Sequence, residues 1–377
     1  MNEFSRNITL HDLQYKLENY KFIKELEVNI LNSDEIFLFN ESEDLFNFYY
    51  NDYDIEIICH TIEKLYSDDK NRSKKQIVDL LNIKNFYGTY HELMTYSWLL
   101  KHQANFQPQV SGIETLSKNE IELDGKFIYN RVCFDIKAFE IPKVLKKEVV
   151  KKIEKEFPDY IIMIEGNMGD SYINIQKATL NNISKIVDNI KNVLLDKLNK
   201  EFVLYKVPDI DWTIRMEKRK AGGVYSAISH FDPYEWAKQN RNFFLKNVTQ
   251  YSIDLPFILI CSMNKDAANI LTTDSEMSKI AFRAIARRAF IETIADGYVE
   301  NNCKNNLLKK VRDDIKKDNI PKYLSAIMIL NLQDDKSYIY TNPNAIHKVS
   351  RSKIMQLFDY ETPLPFEIFD DFINDNY

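Results

Sequence analysis

The chain has 377 residues, 45% of them hydrophobic and 13% aromatic, which is enough to bury one large core or two to three smaller ones and excludes a disordered protein. Its longest uninterrupted apolar runs, such as Pro256 to Cys261, are about six residues, far short of the roughly twenty that span a bilayer. The net charge of −6 argues at first against a nucleic-acid partner, but residues 1–70 hold 16 acids and 6 bases, residues 358–377 hold 6 acids and no base, and residues 71–357 hold 34 acids and 44 bases.

A basic middle between acidic ends suits a phosphate backbone held at the centre, and equally suits solvated faces of ordinary helices. Glu3, Arg6, Asp12, Lys16 and Glu18 interrupt the first twenty residues, so no secretory signal is expected. The four cysteines are widely spaced, with Cys133 and Cys261 inside apolar strand-like runs, and no pair has zinc-ligand spacing. The expected setting is a reducing cytoplasm, with no membrane association and no nucleotide cofactor, since no Gly-rich phosphate loop stands out.

In chain order, residues 8–30 and 54–84 read as amphipathic helices in an acidic N-terminal region, 1–80, rich in Tyr and Phe. Phe86, Tyr90, Leu93, Met94, Ser97 and Trp98 share one side of a buried helix from Asn85 to His102. The short strands IELDG, KFIYN and RVCFDIKAF follow at hairpin spacing, with an Asp-Gly turn at 124–125. Pro142 to Phe157 is an amphipathic helix with a lysine face that includes Lys146 and Lys147. Then come a buried strand, Tyr160 to Glu165, a helix over 177–200, the strands FVLYKV and DWTIRMEK, a helix from Pro233, and the buried strand PFILIC. Beyond 275 the pattern is mainly helical, apart from a strand-like YLSAIMIL at Tyr323.

The chemistry lies between Glu92 and Lys137. Side chains alternate along a strand, so Asp135 and Lys137 project to the same side. Asp124 ends the preceding strand, where a hairpin return would bring its carboxylate beside Asp135. Two carboxylates and a backbone carbonyl, such as that of Ile136, make a hard oxygen site suited to Mg2+, with Mn2+ as the alternative. Lys137 can orient a water or stabilise charge on a phosphate, and Glu92 can complete the set from the helix. Each element has a plainer reading. Asp-Gly serves a turn, Asp-x-Lys is a surface ion pair, and Glu92 is a helix-surface charge. Their coincidence on a strand flanked by Val132, Cys133, Phe134, Ile136 and Phe139 favours a site, because buried charges are costly unless paired or metal-bound.

The order of acid, acid and Asp-x-Lys in GTYHELMTYSWLLK, IELDG and FDIKAF resembles the PD-(D/E)xK nuclease superfamily, with Leu123 where the family name has proline. The resemblance covers roughly residues 85–165 and implies Glu92, Asp124, Asp135 and Lys137 as the catalytic set. It implies a restriction-endonuclease-like α/β core with a mixed central sheet over 81–275, carrying an insertion, between helical N- and C-terminal regions, the latter at 276–377. The implied reaction is Mg2+-dependent endonucleolytic hydrolysis of DNA in restriction or phage defence, by a homodimer if both strands are cut. An RNA- or structure-selective nuclease, or a non-catalytic binding module on the same scaffold, are the alternatives. Arg215, Lys218, Arg219 and Lys220, beside a flexible Ala-Gly-Gly, suit a loop closing on nucleic acid or an exposed turn. Arg283, Arg287 and Arg288 suit a phosphate clamp or internal ion pairs. Gln250 and Tyr251 loosely resemble an accessory Gln/Tyr motif of the superfamily, and His230 reads as a loop or capping residue.

Overall fold

The computed structural model describes residues 20–25, 52–81, 85–138, 153–165, 202–206, 213–219, 242–245, 247–263, 275–291, 309–332, 337–358 and 366–370, with helical residues at 150, 188, 191–192, 233–234 and 237. Two compact units divide the chain: residues 1–140 with 232–377, and residues 141–231.

The larger unit opens with a helical turn, α1 (Lys21–Glu25), and the helices α2 (Asp52–Tyr66) and α3 (Lys70–Leu81). Ile55, Ile58, Cys59, Ile62 and Tyr66 of α2 fall at the three- and four-residue spacing of one helix face, and all are buried. Asp69 caps α3 by accepting from Arg72 N at 3.0 Å, so the expected helix over 54–84 is two helices with a break at Ser67–Asp69. The expected helix over 8–30 lies outside the described residues except for α1. Helix α4 (Phe86–Lys101) is buried nearly all round, from Thr89 through Leu99, because it packs between the α2–α3 pair and the sheet.

That sheet has seven strands: β1 (Phe106–Val110), β2 (Leu123–Phe127), β3 (Val132–Ala138), β7 (Phe257–Met263), β8 (Ala326–Asn331), β9 (Ser337–Thr341) and β10 (Phe366–Phe369), side by side in that order. β3, β7 and β8 run parallel to their neighbours in that trio, β9 and β10 pair parallel, and the remaining pairings are antiparallel. The continuous apolar runs of β7 and β8 are wholly buried, as strands covered on both faces must be. Helix α6 (Ser275–Ile291) and a 3-10 segment, Lys317–Tyr323, lead into β8, and the short α5 (Asn242–Leu245) and α7 (Arg351–Met355) complete the unit. The architecture is therefore α/β around a mixed sheet. No helix among the described residues is long and apolar enough to cross a membrane.

Three expectations are corrected. Asp124-Gly125 is not a turn: one strand, β2, runs through it, and the hairpin turn falls at Ile128–Arg131. Gly125 is there because the Phe134 ring covers it; an added Cβ would stand 2.3 Å from Phe134 Cζ. The region beyond 275 carries more strand than the one expected near Tyr323: besides β8 it supplies β9 and β10 to the central sheet. Tyr160–Glu165 is the expected strand, but it falls outside the seven-stranded sheet that carries the motif: it is β4 of the smaller unit.

In that smaller unit β4 pairs antiparallel with β6 (Thr213–Lys218), which pairs antiparallel with β5 (Phe202–Lys206). Ile162, Val203, Ile214 and Met216 are buried, and the side chains alternating with them on β6 are half-buried or exposed, as in a sheet covered on one face.

Candidate active site

The ladder between β2 and β3 carries the pair Gly125↔Phe134, so the next residues along, Asp124 and Asp135, stand opposite one another. Asp124 Oδ2 accepts from the Ile136 N–H at 2.6 Å, taking the place of a neighbouring backbone acceptor. Asp135 is the charged neighbour that acts most strongly on the Asp124 carboxyl. Asp135 and Lys137 share a side of β3 as alternation requires, with the ammonium 2.5 Å from Asp135 Oδ2. Asp135 is 1% exposed, and its buried Oδ2 accepts no hydrogen bond of ordinary geometry, so the ammonium is what it meets.

Glu92 comes from α4. Two donors meet on its Oε1: Tyr96 Oη at 2.9 Å, one helical turn on, and Gln109 Nε2 at 3.1 Å, from β1. The single Tyr96 hydroxyl proton is shared between that oxygen and the Asp124 carbonyl oxygen, 2.5 Å away, which ties α4 to β2 at the residue that carries the first acid. Four groups distant in sequence are thus gathered where β2 and β3 leave their ladder.

The electrostatics follow from burial. Desolvation, then repulsion from Asp135 and Glu92, pushes the Asp124 carboxyl well above the ordinary range. Burial also raises Glu92, while the Tyr96 and Gln109 hydrogen bonds oppose the rise. Burial works against the Lys137 ammonium, but Asp135, Asp124 and Glu92 outweigh it and hold its pKa above the ordinary value. These carboxylates crowd one another and need positive charge.

Two carboxylates at opposed positions of neighbouring strands, one buried and one half-buried, fit Mg2+ or Mn2+, which commonly take one or two protein carboxylates and fill the shell with waters and substrate oxygens. Asp124 and Asp135 would hold the ion. Ile136 enters this neighbourhood through its backbone. Among the described residues no three His, Cys, Asp or Glu side chains form a ready metal cage, so the fit rests on the pair.

Sequence reasoning missed Tyr96 and Gln109. The i,i+4 spacing of Tyr96 from Glu92 was a usable signal; nothing local marks Gln109, whose contact depends on its backbone.

Of the residues expected to touch nucleic acid, Lys146, Lys147 and Lys220 lie outside the described residues, as does His230. Arg215 and Lys218 sit on strand β6 rather than in a loop. Arg215 pairs with Glu217, and Arg219, just past the strand, donates to the Tyr160 carbonyl at 3.2 Å and meets Glu154 at 3.5 Å. Arg283, Arg287 and Arg288 lie on α6, with the Arg283 guanidinium 5.8 Å from the centre of the Phe369 ring. Tyr251 is buried and its hydroxyl donates to the Phe244 carbonyl at 3.0 Å, which makes it a core residue rather than an accessory of the site.

No protein-family model, curated protein or solved structure matches this chain.

Proposed function

We propose that this protein is a divalent-cation-dependent nuclease of the PD-(D/E)xK kind, hydrolysing DNA phosphodiester bonds. The observation that carries the reading is the gathering of Glu92, Asp124, Asp135 and Lys137 from one helix and two strands into a half-buried cluster around the buried Asp135. One buried and two half-buried carboxylates beside a single ammonium leave negative charge that the lysine alone does not offset, and a bound cation would answer it.

When bound at Asp124 and Asp135, Mg2+ would acidify a water and offset charge growing on the phosphate. The chain's own groups do the rest. Asp124 uses Oδ2 to fix β3 through Ile136 N, which holds the acid at its station. Lys137, kept charged by the surrounding acids, can donate to a phosphate oxygen or orient the attacking water. Glu92 is anchored through Oε1, and among the described residues its Oε2 accepts no hydrogen bond, leaving that atom to accept from a water. A nuclease of this kind with no ATPase motif in these 377 residues resembles restriction or phage-defence enzymes, a reading by analogy of architecture. Cutting both strands would suit a homodimer. The buried free thiols of Cys59, Cys133 and Cys261 agree with a reducing compartment.

A non-catalytic binding module is the rival reading. It is favoured by the engagement of every carboxylate already: Glu92 with Tyr96 and Gln109, Asp124 with Ile136 N, and Asp135 with Lys137. Incubating plasmid, single-stranded DNA and RNA with the protein in Mg2+ or EDTA separates the readings. The expected result is Mg2+-dependent DNA cleavage that disappears in Asp135→Ala and in Lys137→Ala while circular dichroism is unchanged. Cleavage of RNA alone would reassign the substrate. Cleavage persisting in both variants would refute the site, and binding without cleavage would establish the rival.

A further inference from the structure

Gln109 holds a backbone conformation that its sequence does not explain. Its φ is +48°, in the left-handed region that strains a side-chain-bearing residue. It lies between the paired positions Pro108↔Gly125 and Val110↔Leu123, directly across from Asp124. Phe106, three residues earlier, stacks on Tyr96 of α4 with ring centres 5.5 Å apart, so that residue faces the helix. Regular alternation along β1 would turn Gln109 the other way. The left-handed φ breaks the alternation, and the Gln109 amide reaches α4 after all, donating to Glu92 Oε1 at 3.1 Å.

The strain is held from a second direction. Arg72 of α3 donates from one guanidinium nitrogen to the Gln109 carbonyl oxygen at 3.1 Å and from the other to Glu122 Oε1 at 2.9 Å. Its fork therefore joins Gln109 on β1 to Glu122, the residue just before β2, and fixes the Gln109 carbonyl. Strain of this kind persists where the surroundings over-determine it, and it concentrates where a side chain must be aimed.

We propose that Gln109 is the positioning residue for Glu92, and that Arg72 locks it in place, so that helix α3 completes the catalytic site. The inference rests on the nuclease reading above. Gln109 and Tyr96 together occupy Oε1, which fixes the carboxylate plane and points Oε2 in one direction. Without the Gln109 amide, one donor remains, and the carboxylate is free to rotate about it.

Two replacements separate aiming from folding. Gln109→Gly tolerates the left-handed φ without strain, and Gln109→Asn tolerates it better than most residues but is one methylene too short to reach Glu92. Both are expected to keep the melting temperature of the cation-free protein close to that of the wild type. With Mg2+ and DNA, both are expected to lower kcat by about tenfold or more with little change in KM, because a small misplacement of a catalytic group is costly. In the Glu92→Ala background, either replacement should add no further loss, since Gln109 acts through Glu92. Urea unfolding of the cation-free single and double variants should show the same Gln109–Glu92 coupling without any catalysis. Arg72→Lys, which cannot span both acceptors, should lower kcat in the same direction. A kcat within twofold of the wild type for both Gln109 variants, or an undiminished effect in the Glu92→Ala background, would overturn this role while leaving the nuclease reading in place. Absence of cleavage by the wild type would overturn both.

Discussion

Asp124 does two jobs that conflict. Its Oδ2 closes the backbone of β3 through Ile136 N, and its charge sits against Asp135 in a buried setting. Asp124 and Glu92 both titrate above their unfolded values, so in the cation-free protein the folded state binds more protons than the unfolded state once pH exceeds the ordinary carboxylate range near 4. The penalty is absent below that range, grows as pH rises toward the raised folded values, and is fully present above them. Asp124→Asn keeps an acceptor for Ile136 N and removes the charge. Its cation-free melting temperature should exceed that of the wild type at pH 8, with the gap closing toward pH 4, and Mg2+ should raise the wild-type value at pH 8 but not that of the variant. Melts followed by circular dichroism check both; an equal or lower melting temperature for Asp124→Asn at pH 8 would contradict the crowding argument. Gly125 permits a second test at this scale. With the Phe134 ring 2.3 Å from where a Cβ would stand, Gly125→Ala must displace a fully buried ring. The expected loss, by urea denaturation, is about 1–3 kcal/mol.

The elements were legible in proportion to how local their signals are. The four acidic and basic site residues, the buried helix Phe86–Lys101 and the apolar strands β3, β7 and β8 stand out in the sequence because apolar periodicity and uninterrupted apolar runs carry their burial with them. Asp124-Gly125 misled because the same dipeptide that favours a turn also answers a close approach by a ring from the next strand, and only tertiary packing distinguishes the two. β9 and β10 were hidden for another reason: SYIYT and FEIF are short, flanked by acidic stretches, and gain their burial from neighbours rather than from their own pattern. Phe369 stacks on Tyr340 with centres 5.1 Å apart, and Phe366 packs 5.0 Å from Phe358, so β10 seals the β9 edge. Truncation after Pro363 should expose that edge, lower the melting temperature and promote association at rising concentration. Light scattering and a thermal melt read the two effects, and wild-type behaviour in both would remove β10 from the account of stability.

At the scale of the whole molecule, the smaller unit interrupts the crossover between two strands that pair directly. Ala138 near the end of β3 lies opposite Ser262 of β7, and every strand of the seven-stranded sheet lies outside residues 141–231. Replacing 141–231 by a short Gly/Ser linker should therefore leave a cooperatively folding chain with Tyr96, Gln109 and the acidic cluster intact. Loss of a cooperative melt in that variant would mean that the larger unit depends on the smaller one. The sequence could not announce this division, because β4, YIIMIE, is as continuous an apolar run as the core strands and only its partner differs.

The central claim is that Asp135 belongs to a cation-dependent phosphodiester-cleaving centre. The most direct measurement is the rate of plasmid nicking in Mg2+ by the wild type and by Asp135→Asn, which keeps the shape of the side chain and removes its charge, at matched folding by circular dichroism. The account predicts Mg2+-dependent nicking by the wild type, abolished by EDTA, and a loss of at least about a hundredfold in the variant, the scale on which removal of a key transition-state group acts. Equal rates for the two proteins, or no nicking by either in Mg2+ or Mn2+, would contradict it.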